Sequence, residues 1–398
     1  MPGSAAIPVV KEYKYLGILI NEDADLDVAA HHRQLTVQRA VGAMRHHLAD
    51  SRIPRELRRQ ALVTYVLPHA SYGGELLGMS VKRARGTERV LEDALRCVYS
   101  VPKTTSIAAL WAEAGLRPTH IRWSAARARA MTKWRWTSQT WIRDLLANRG
   151  PRGCWTEQGR VWLAQWGPGR CREALDVRPR SAAAGPAVEA FLLQAAAERE
   201  PEGSIAAKFR SYRLQSTAAE ATAVLRSKLG GAVVGNAALN EVTRMRVGAY
   251  WTARQVAKAG YTDARWATEC PFCNGHVPDT VPHVLLECPA WSGPRRRMLM
   301  PVLRAAGVTS WLGKAARRED LAFLLLGGQV GPHRAPSLLH KSKHRDAARA
   351  APPQNWLIGI SRFLRCIARR RLDVLYAIKS RSRDRGMAAA GAAADDER

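Results

Sequence analysis

The stretch that most limits the possible folds of this chain runs from Cys270 to Cys288. It holds three of the chain's seven cysteines, Cys270, Cys273 and Cys288, with His283 among them. Cys270 and Cys273 form a C-x2-C pair, and a backbone turn of that length can aim two thiolates at one ion. His283 and Cys288 form H-x4-C, which sets an imidazole and a thiolate one helical turn or one tight loop apart. Three sulfurs and one nitrogen make a closed tetrahedral set that suits structural Zn²⁺ and leaves no open position for water. His276 competes for the nitrogen position, but it sits too near Cys273 to close a large loop, so His283 ranks above it. Cys97, Cys154, Cys171 and Cys366 are scattered. That spacing gives no disulfide framework and points to a reducing compartment.

Charge supplies the second constraint. The 398 residues carry 62 Lys+Arg against 34 Asp+Glu, a formal net charge of +28. An excess of that size spread along the chain points to a polyanion partner, nucleic acid before an anionic membrane surface. No apolar run is long enough to span a bilayer. Met1-Pro2-Gly3-Ser4 lacks the charged-then-apolar pattern of a secretory signal, so the chain is not expected to be secreted.

The periodicity is mainly helical. Residues 9–20 are rich in β-branched and aromatic types and read as a short N-terminal strand pair. Asp23, Asp25 and Asp27 alternate as in a Ca²⁺ loop. The loop's glycine is missing and Gln34 stands where its closing Glu belongs, so the reading is an acidic turn entering a helix. Val37, Val41, Met44 and Leu48 then recur at helical spacing, and further helices are expected over 87–99, up to Gly115, and from Pro118 to about 137. The last of these sets Arg122, Arg129 and Lys133 on one face, with Arg127, Arg135, Trp134 and Trp136 nearby. This is either a solvated basic face or a rail for phosphates. Arg244 and Arg246 precede the cysteine stretch and Arg295, Arg296 and Arg297 follow it. A late helix carries Trp356, Ile360, Phe363 and Ile367 on one side and Arg362, Arg365 and Arg369 on the other. The Ala- and Gly-rich end reads as disordered.

Several segments resemble non-LTR (LINE-type) retrotransposon reverse transcriptases. His283-Val284-Leu285-Leu286-Glu287-Cys288-Pro289, after a loop longer than that of retroviral knuckles, resembles the zinc-binding segment near the C-terminus of that family. Thr243-Arg244-Met245-Arg246-Val247-Gly248 and Ala257-Lys258-Ala259-Gly260 agree with it upstream. Tyr13-Lys14-Tyr15-Leu16-Gly17-Ile18 looks like the hairpin after the polymerase active site. Val66-Leu67-Pro68-His69-Ala70-Ser71-Tyr72-Gly73-Gly74 looks like the thumb segment beyond it, continued by Glu113-Ala114-Gly115-Leu116-Arg117-Pro118. The resemblance covers most of 10–150 and 235–300.

That resemblance implies an end-of-palm hairpin over 1–30, a helical thumb-like domain over 31–140 and a helical linker region over 141–235. It then implies a small zinc-stapled helical domain over 236–310 and basic C-terminal helices over 311–386, and composition adds a disordered tail over 387–398. The resemblance implies binding of template RNA and target DNA for target-primed reverse transcription, and the net charge with its local clusters assigns that contact to Arg122, Arg129, Lys133, Arg244, Arg246, Arg295, Arg296 and Arg297. It also implies a nuclear location, with or without a cytoplasmic pool. The family's aromatic-x-Asp-Asp turn is not matched: the chain's adjacent aspartates are Asp395-Asp396. Since nucleotidyl transfer needs paired carboxylates for two metal ions, no catalytic residue is expected. The alternatives are a zinc-stapled scaffold for proteins, or an enzyme working in trans with a separate palm.

Overall fold

A computed structural model describes residues 10–135, 137–147, 155–166, 236–305, 321–322, 325–326 and 354–396. They are mainly helical, with one two-stranded antiparallel sheet. The helices used below are α1 (Leu26–Ala49), α2 (Arg55–Ala61), α3 (Val81–Tyr99), α4 (Ile107–Ala114), α5 (Thr119–Arg135), α6 (Asn236–Arg246), α7 (Ala253–Lys258), α8 (Ser292–Met298) and α9 (Gln354–Asp396). They fall into two compact units. The first lies within Met1–Asp50, Leu57–Val98 and Leu116–Ser204, and the second within Ser51–Glu56, Tyr99–Gly115 and Ile205–Arg398.

In the first unit, β1 (Glu12–Tyr15) pairs with β2 (Ile18–Asn21) from Glu12↔Asn21 to Tyr15↔Ile18. The connecting Leu16 and Gly17 have φ of 47° and 80°, the two-residue turn whose twist suits paired strands. Arg33 of α1 donates to the Gly17 carbonyl at 3.1 Å and lies over the Tyr72 ring. The acidic run before α1 is a helix entrance. The Asp25 side chain accepts from the Asp27 backbone N–H at 2.8 Å, and Asp27 pairs with Arg83 at 2.6 Å. That pairing holds Asp27 below its usual carboxylate range, as expected of an N-terminal cap and an acid in the first turn. Helix α1 buries Val37, Val41 and Leu48 on one stripe. Helix α5 packs closely on the chain near Gly78, where an added Cβ would meet the Trp123 carbonyl oxygen at 2.3 Å.

The second unit is built on a core that includes Leu239, Val242, Met245, Leu285, Trp291, Leu299, Phe363 and Ile367. Helix α6 is tied to the 99–115 segment and to the start of α2 by arginine. Arg244 donates to the Ser100 carbonyl at 3.0 Å, Arg246 meets the Glu113 carboxylate at 2.9 Å, and Arg55 donates to Thr243 Oγ1 and to the Leu239 carbonyl. Helix α9 buries Ile360, Phe363 and Ile367 and exposes Arg362, Arg365 and Arg369.

Two expectations are corrected. The Ala-rich run is not irregular: α9 continues through it to Asp396, because alanine is the strongest helix former and continuing an existing helix needs no new nucleus. Arg246 is not a surface residue, since its side chain is 0% exposed. Of the expected linker and C-terminal regions, residues 148–154, 167–235, 306–320, 323–324, 327–353 and 397–398 lie outside the described residues, as does Trp136.

Removing one member of a buried pair strands the other. Arg246→Ala is therefore expected to lower unfolding stability by about 3–5 kcal/mol, through the Glu113 carboxylate it leaves behind. Urea denaturation monitored by circular dichroism checks this. Unchanged stability would put Arg246 back among the exposed charges.

Candidate metal centre

The first ligand pair sits on a turn closed at both ends. Asn274 N–H donates to the Cys270 carbonyl at 2.9 Å, and Cys270 N–H donates to the Gly275 carbonyl at 3.0 Å. Asn274 takes the left-handed conformation this requires, φ 54°, which Asn tolerates better than most residues. The second pair sits on a π-helical turn, His283–Glu287. Its spacing explains the turn. In an α-helix a residue five positions on lies about 140° around the axis, facing away. The π turn closes from residue i to i+5: Cys288 N–H donates to the His283 carbonyl at 2.7 Å. That wider ring brings the Cys288 thiol back over the same face as the imidazole. Thr280 Oγ1 starts the turn by accepting from His283 N–H at 3.3 Å.

The four donors converge. The sulfurs of Cys270, Cys273 and Cys288 and one His283 nitrogen all lie within 4.8 Å of one another, an arrangement that could hold a metal ion. Cys270 Sγ is 3.9 Å from Cys288 Sγ, and Cys273 Sγ is 3.6 Å from His283 Nε2. Cys270, Cys288 and His283 are buried. His276 stands outside the cluster with its side chain 92% exposed, beside Glu269 at 3.4 Å. His283 Nδ1 faces Glu287 Oε2 at 3.5 Å. A carboxylate there favours the tautomer with the proton on Nδ1 and the Nε2 lone pair free for a metal.

Without an ion the cluster shares protons. The Cys270 thiol is pushed up to about 12, first by its hydrogen bond with Cys288 and then by burial. The same hydrogen bond holds Cys288 low. Burial works to lower His283, but its hydrogen bonds with Cys270 and Cys273 outweigh it and raise the imidazole to about 9.

Residues to which sequence reasoning gave no part in the cage hold it in place. Arg295 is buried and donates to three carbonyls of the ligand turn: Leu285 at 2.8 Å, Val284 at 3.2 Å and Cys288 at 3.0 Å. Inside the loop, Asp279 is fully buried. It accepts from both terminal nitrogens of Arg371, at 3.1 and 2.8 Å, and from Ala253 N–H at 2.8 Å. Arg371 also donates to the Trp251 carbonyl and lies over the rings of Phe272 and Tyr250. The loop between the two ligand pairs is thus clamped to α9. Pro278-Asp279 gave no local signal of this, because the partner is 92 positions away.

The expected phosphate contacts divide by burial. Arg296 and Arg297 on α8 are exposed, as are Arg129 and Lys133 on α5. Arg122 is half-buried and donates to Ser71 Oγ. Arg244 is engaged by Ser100 and by Glu241 at 2.8 Å. Arg246 and Arg295 are corrections, being interior residues whose donors are turned to Glu113 and to backbone carbonyls. Arg127, also on α5, is interior and donates to the Gly78 carbonyl at 2.8 Å.

Comparison with protein-family models, with curated proteins and with solved structures returns no match. The site is therefore characterised by its own geometry.

Arg295→Ala should weaken metal binding by about 10- to 100-fold, the usual effect of losing a group that orients ligands, while all four ligands remain. Competition with a chromophoric chelator reads it. Unchanged affinity would show that the turn holds itself.

Binding must also displace protons. Cys270 and His283 hold theirs at neutral pH in the metal-free cluster, so affinity should rise with pH and fall on acidification. The expected slope is about tenfold per pH unit for each proton released. Metal titrations across pH 6 to 8 would show it, and a flat profile would contradict the raised values.

Proposed function

We propose that Cys270, Cys273, His283 and Cys288 hold a structural Zn²⁺ and that the chain is a nucleic-acid-binding module. On this reading it corresponds to the thumb and zinc-knuckle part of a LINE-type reverse transcriptase, holding template RNA or target DNA without copying it. The observation that carries the reading is the closed four-donor cage with an exposed arginine pair directly after it. Tetrahedral Zn²⁺ with bonds of about 2.3 Å to sulfur and about 2.0–2.1 Å to nitrogen has edges of about 3.8 Å (S to S) and about 3.5 Å (S to N). The Cys270–Cys288 and Cys273–His283 separations of 3.9 and 3.6 Å fit those edges. A closed set offers no position for substrate, so the metal's part is to fold the loop. The loop in turn fixes α8, whose last turn carries the exposed Arg296 and Arg297.

The positive charge of the whole chain supports a polyanion partner, and the family resemblance supports nucleic acid. Binding should be electrostatic and weakly sequence-selective. With about six phosphates neutralised, log affinity for a single strand should fall with log salt at a slope of about −4. Arg296→Ala/Arg297→Ala should flatten that slope by about 1.4, at about 0.7 for each phosphate left without its arginine. The buried Arg295 contributes nothing directly. Salt-titrated anisotropy with single-stranded RNA is the test. A slope near zero, or one unchanged in the double variant, would remove the nucleic-acid role from α8 and favour a scaffold for proteins.

A further inference from the structure

Three exposed rings of the second unit come together from separate parts of the chain. Trp251 precedes α7, Tyr261 follows it, and Tyr376 lies on α9; they are 38%, 61% and 55% exposed. Trp251 and Tyr376 meet edge to face with centroids 5.8 Å apart. Lys379 Nζ lies 5.6 Å from the Trp251 centroid and 5.1 Å from that of Tyr261. Two concavities adjoin the cluster, of about 400 Å³ beside Trp251 and Arg244 and about 650 Å³ over Tyr261 and Lys379, and Tyr376 lines both. Aromatic area of this kind is normally buried for its packing value, so leaving it in water calls for another use.

The rings are fixed in advance. Helix α7 ends with Gly260 at φ 75° and a bond from Tyr261 N–H to the Val256 carbonyl at 3.0 Å, the Schellman closure that sets the direction of the next residue. Thr262 Oγ1 then donates to the Ile378 carbonyl at 3.1 Å, pinning this turn to α9. The Trp251 carbonyl accepts from Arg371 at 3.2 Å, the same guanidinium that grips Asp279 in the metal loop. A surface ordered before binding loses less entropy on binding.

Its charge suits a polyanion. Among the described side chains of α9, Arg362, Arg365, Arg369 and Arg381 are exposed along with the acid Asp373, and α7 adds exposed Lys258. Glu241, on the wall of the smaller concavity, is engaged by Arg244.

We propose that Trp251, Tyr261 and Tyr376, with Lys379 among them, form a stacking platform for the unpaired bases of a single-stranded nucleic acid. This rests on the nucleic-acid reading above and locates the bases, where α8 was assigned only phosphates. Flat rings accept any base face, and the flexible Lys379 stem lets the ammonium move from the ring faces to a backbone phosphate as bases enter. Duplex nucleic acid, whose bases are already stacked and paired, gains nothing from the platform.

The test uses the full, zinc-loaded chain. Anisotropy is measured with fluorescein-labelled oligouridine, oligothymidine and an abasic phosphodiester strand of equal length. Tyr261→Ala and Tyr376→Ala should each weaken binding of both base-bearing strands by about fivefold or more. They should leave the abasic strand and the salt slope unchanged, and Tyr376→Phe should restore the affinity that Tyr376→Ala removes. Zinc content and circular dichroism confirm that the variants fold. If the Ala variants lose nothing, or lose as much on the abasic strand, the platform is overturned and the rings are left to a protein partner. If the unsubstituted chain binds none of the strands, this inference falls together with the nucleic-acid reading, a different outcome from loss of the platform alone.

Discussion

A guanidinium taken out of water must find partners for its donors, and the second unit is organised around that requirement. Arg371 is the central case. Its planar fork meets both oxygens of Asp279, and the remaining donor capacity reaches the Trp251 carbonyl. A lysine could not do this, since its compact ammonium lacks the fork geometry. One side chain therefore joins the long C-terminal helix to the loop between the two metal-ligand pairs and to the segment entering α7. The desolvation cost of such a pair is large enough that it is poor evidence of net stabilisation. Its value here is geometric: with both charges buried, very few other arrangements satisfy them.

The same chemistry recurs. Arg33, Arg55, Arg58, Arg127, Arg246, Arg295 and Arg371 are all buried, and Arg246, Arg295 and Arg371 of the second unit turn donors to carbonyls or carboxylates of distant or neighbouring turns. Arg295 is the most consequential for the site, because the turn it grips carries both His283 and Cys288. Net charge therefore overstates the positive surface presented to a partner. The charges left facing solvent, among them Arg296, Arg297, Arg129, Lys133 and the outer arginines of α9, are the ones with access to a polyanion.

Metal loop, basic helix and aromatic cluster form one connected structure within the second unit. The C-x2-C turn places Phe272 against Trp291 and under Arg371. Arg371 fixes Trp251, and α9 brings Tyr376 and Lys379 alongside. Loosening the metal loop would release Asp279 and, through it, the backbone beneath the rings. This is coupling through contiguous packed groups, each with a specific partner.

Much of this was legible in the sequence because the signals are local. The C-x2-C and H-x4-C spacings are short enough for one turn each to impose their geometry, so the convergence of Cys270, Cys273, His283 and Cys288, with His276 outside it, was legible in the sequence. The hairpin, the entrance to α1 and the buried stripes of α1 and α9 follow from a run of β-branched and aromatic residues, an acidic turn and the 3.6-residue period. Composition misleads at the Ala-rich end, because by itself it leaves out the helix that the run extends. What only the tertiary structure decided is which polar residues lie inside. Arg246, Arg295 and Arg371 look like their exposed neighbours in a one-dimensional reading, because a buried guanidinium is defined by a partner brought in from a distant segment. Glu113 lies 133 positions from Arg246, and Asp279 lies 92 from Arg371. The aromatic cluster is hidden for the same reason: Trp251, Tyr261 and Tyr376 share no motif, and only the packing of α9 on the α7 segment brings them to one surface.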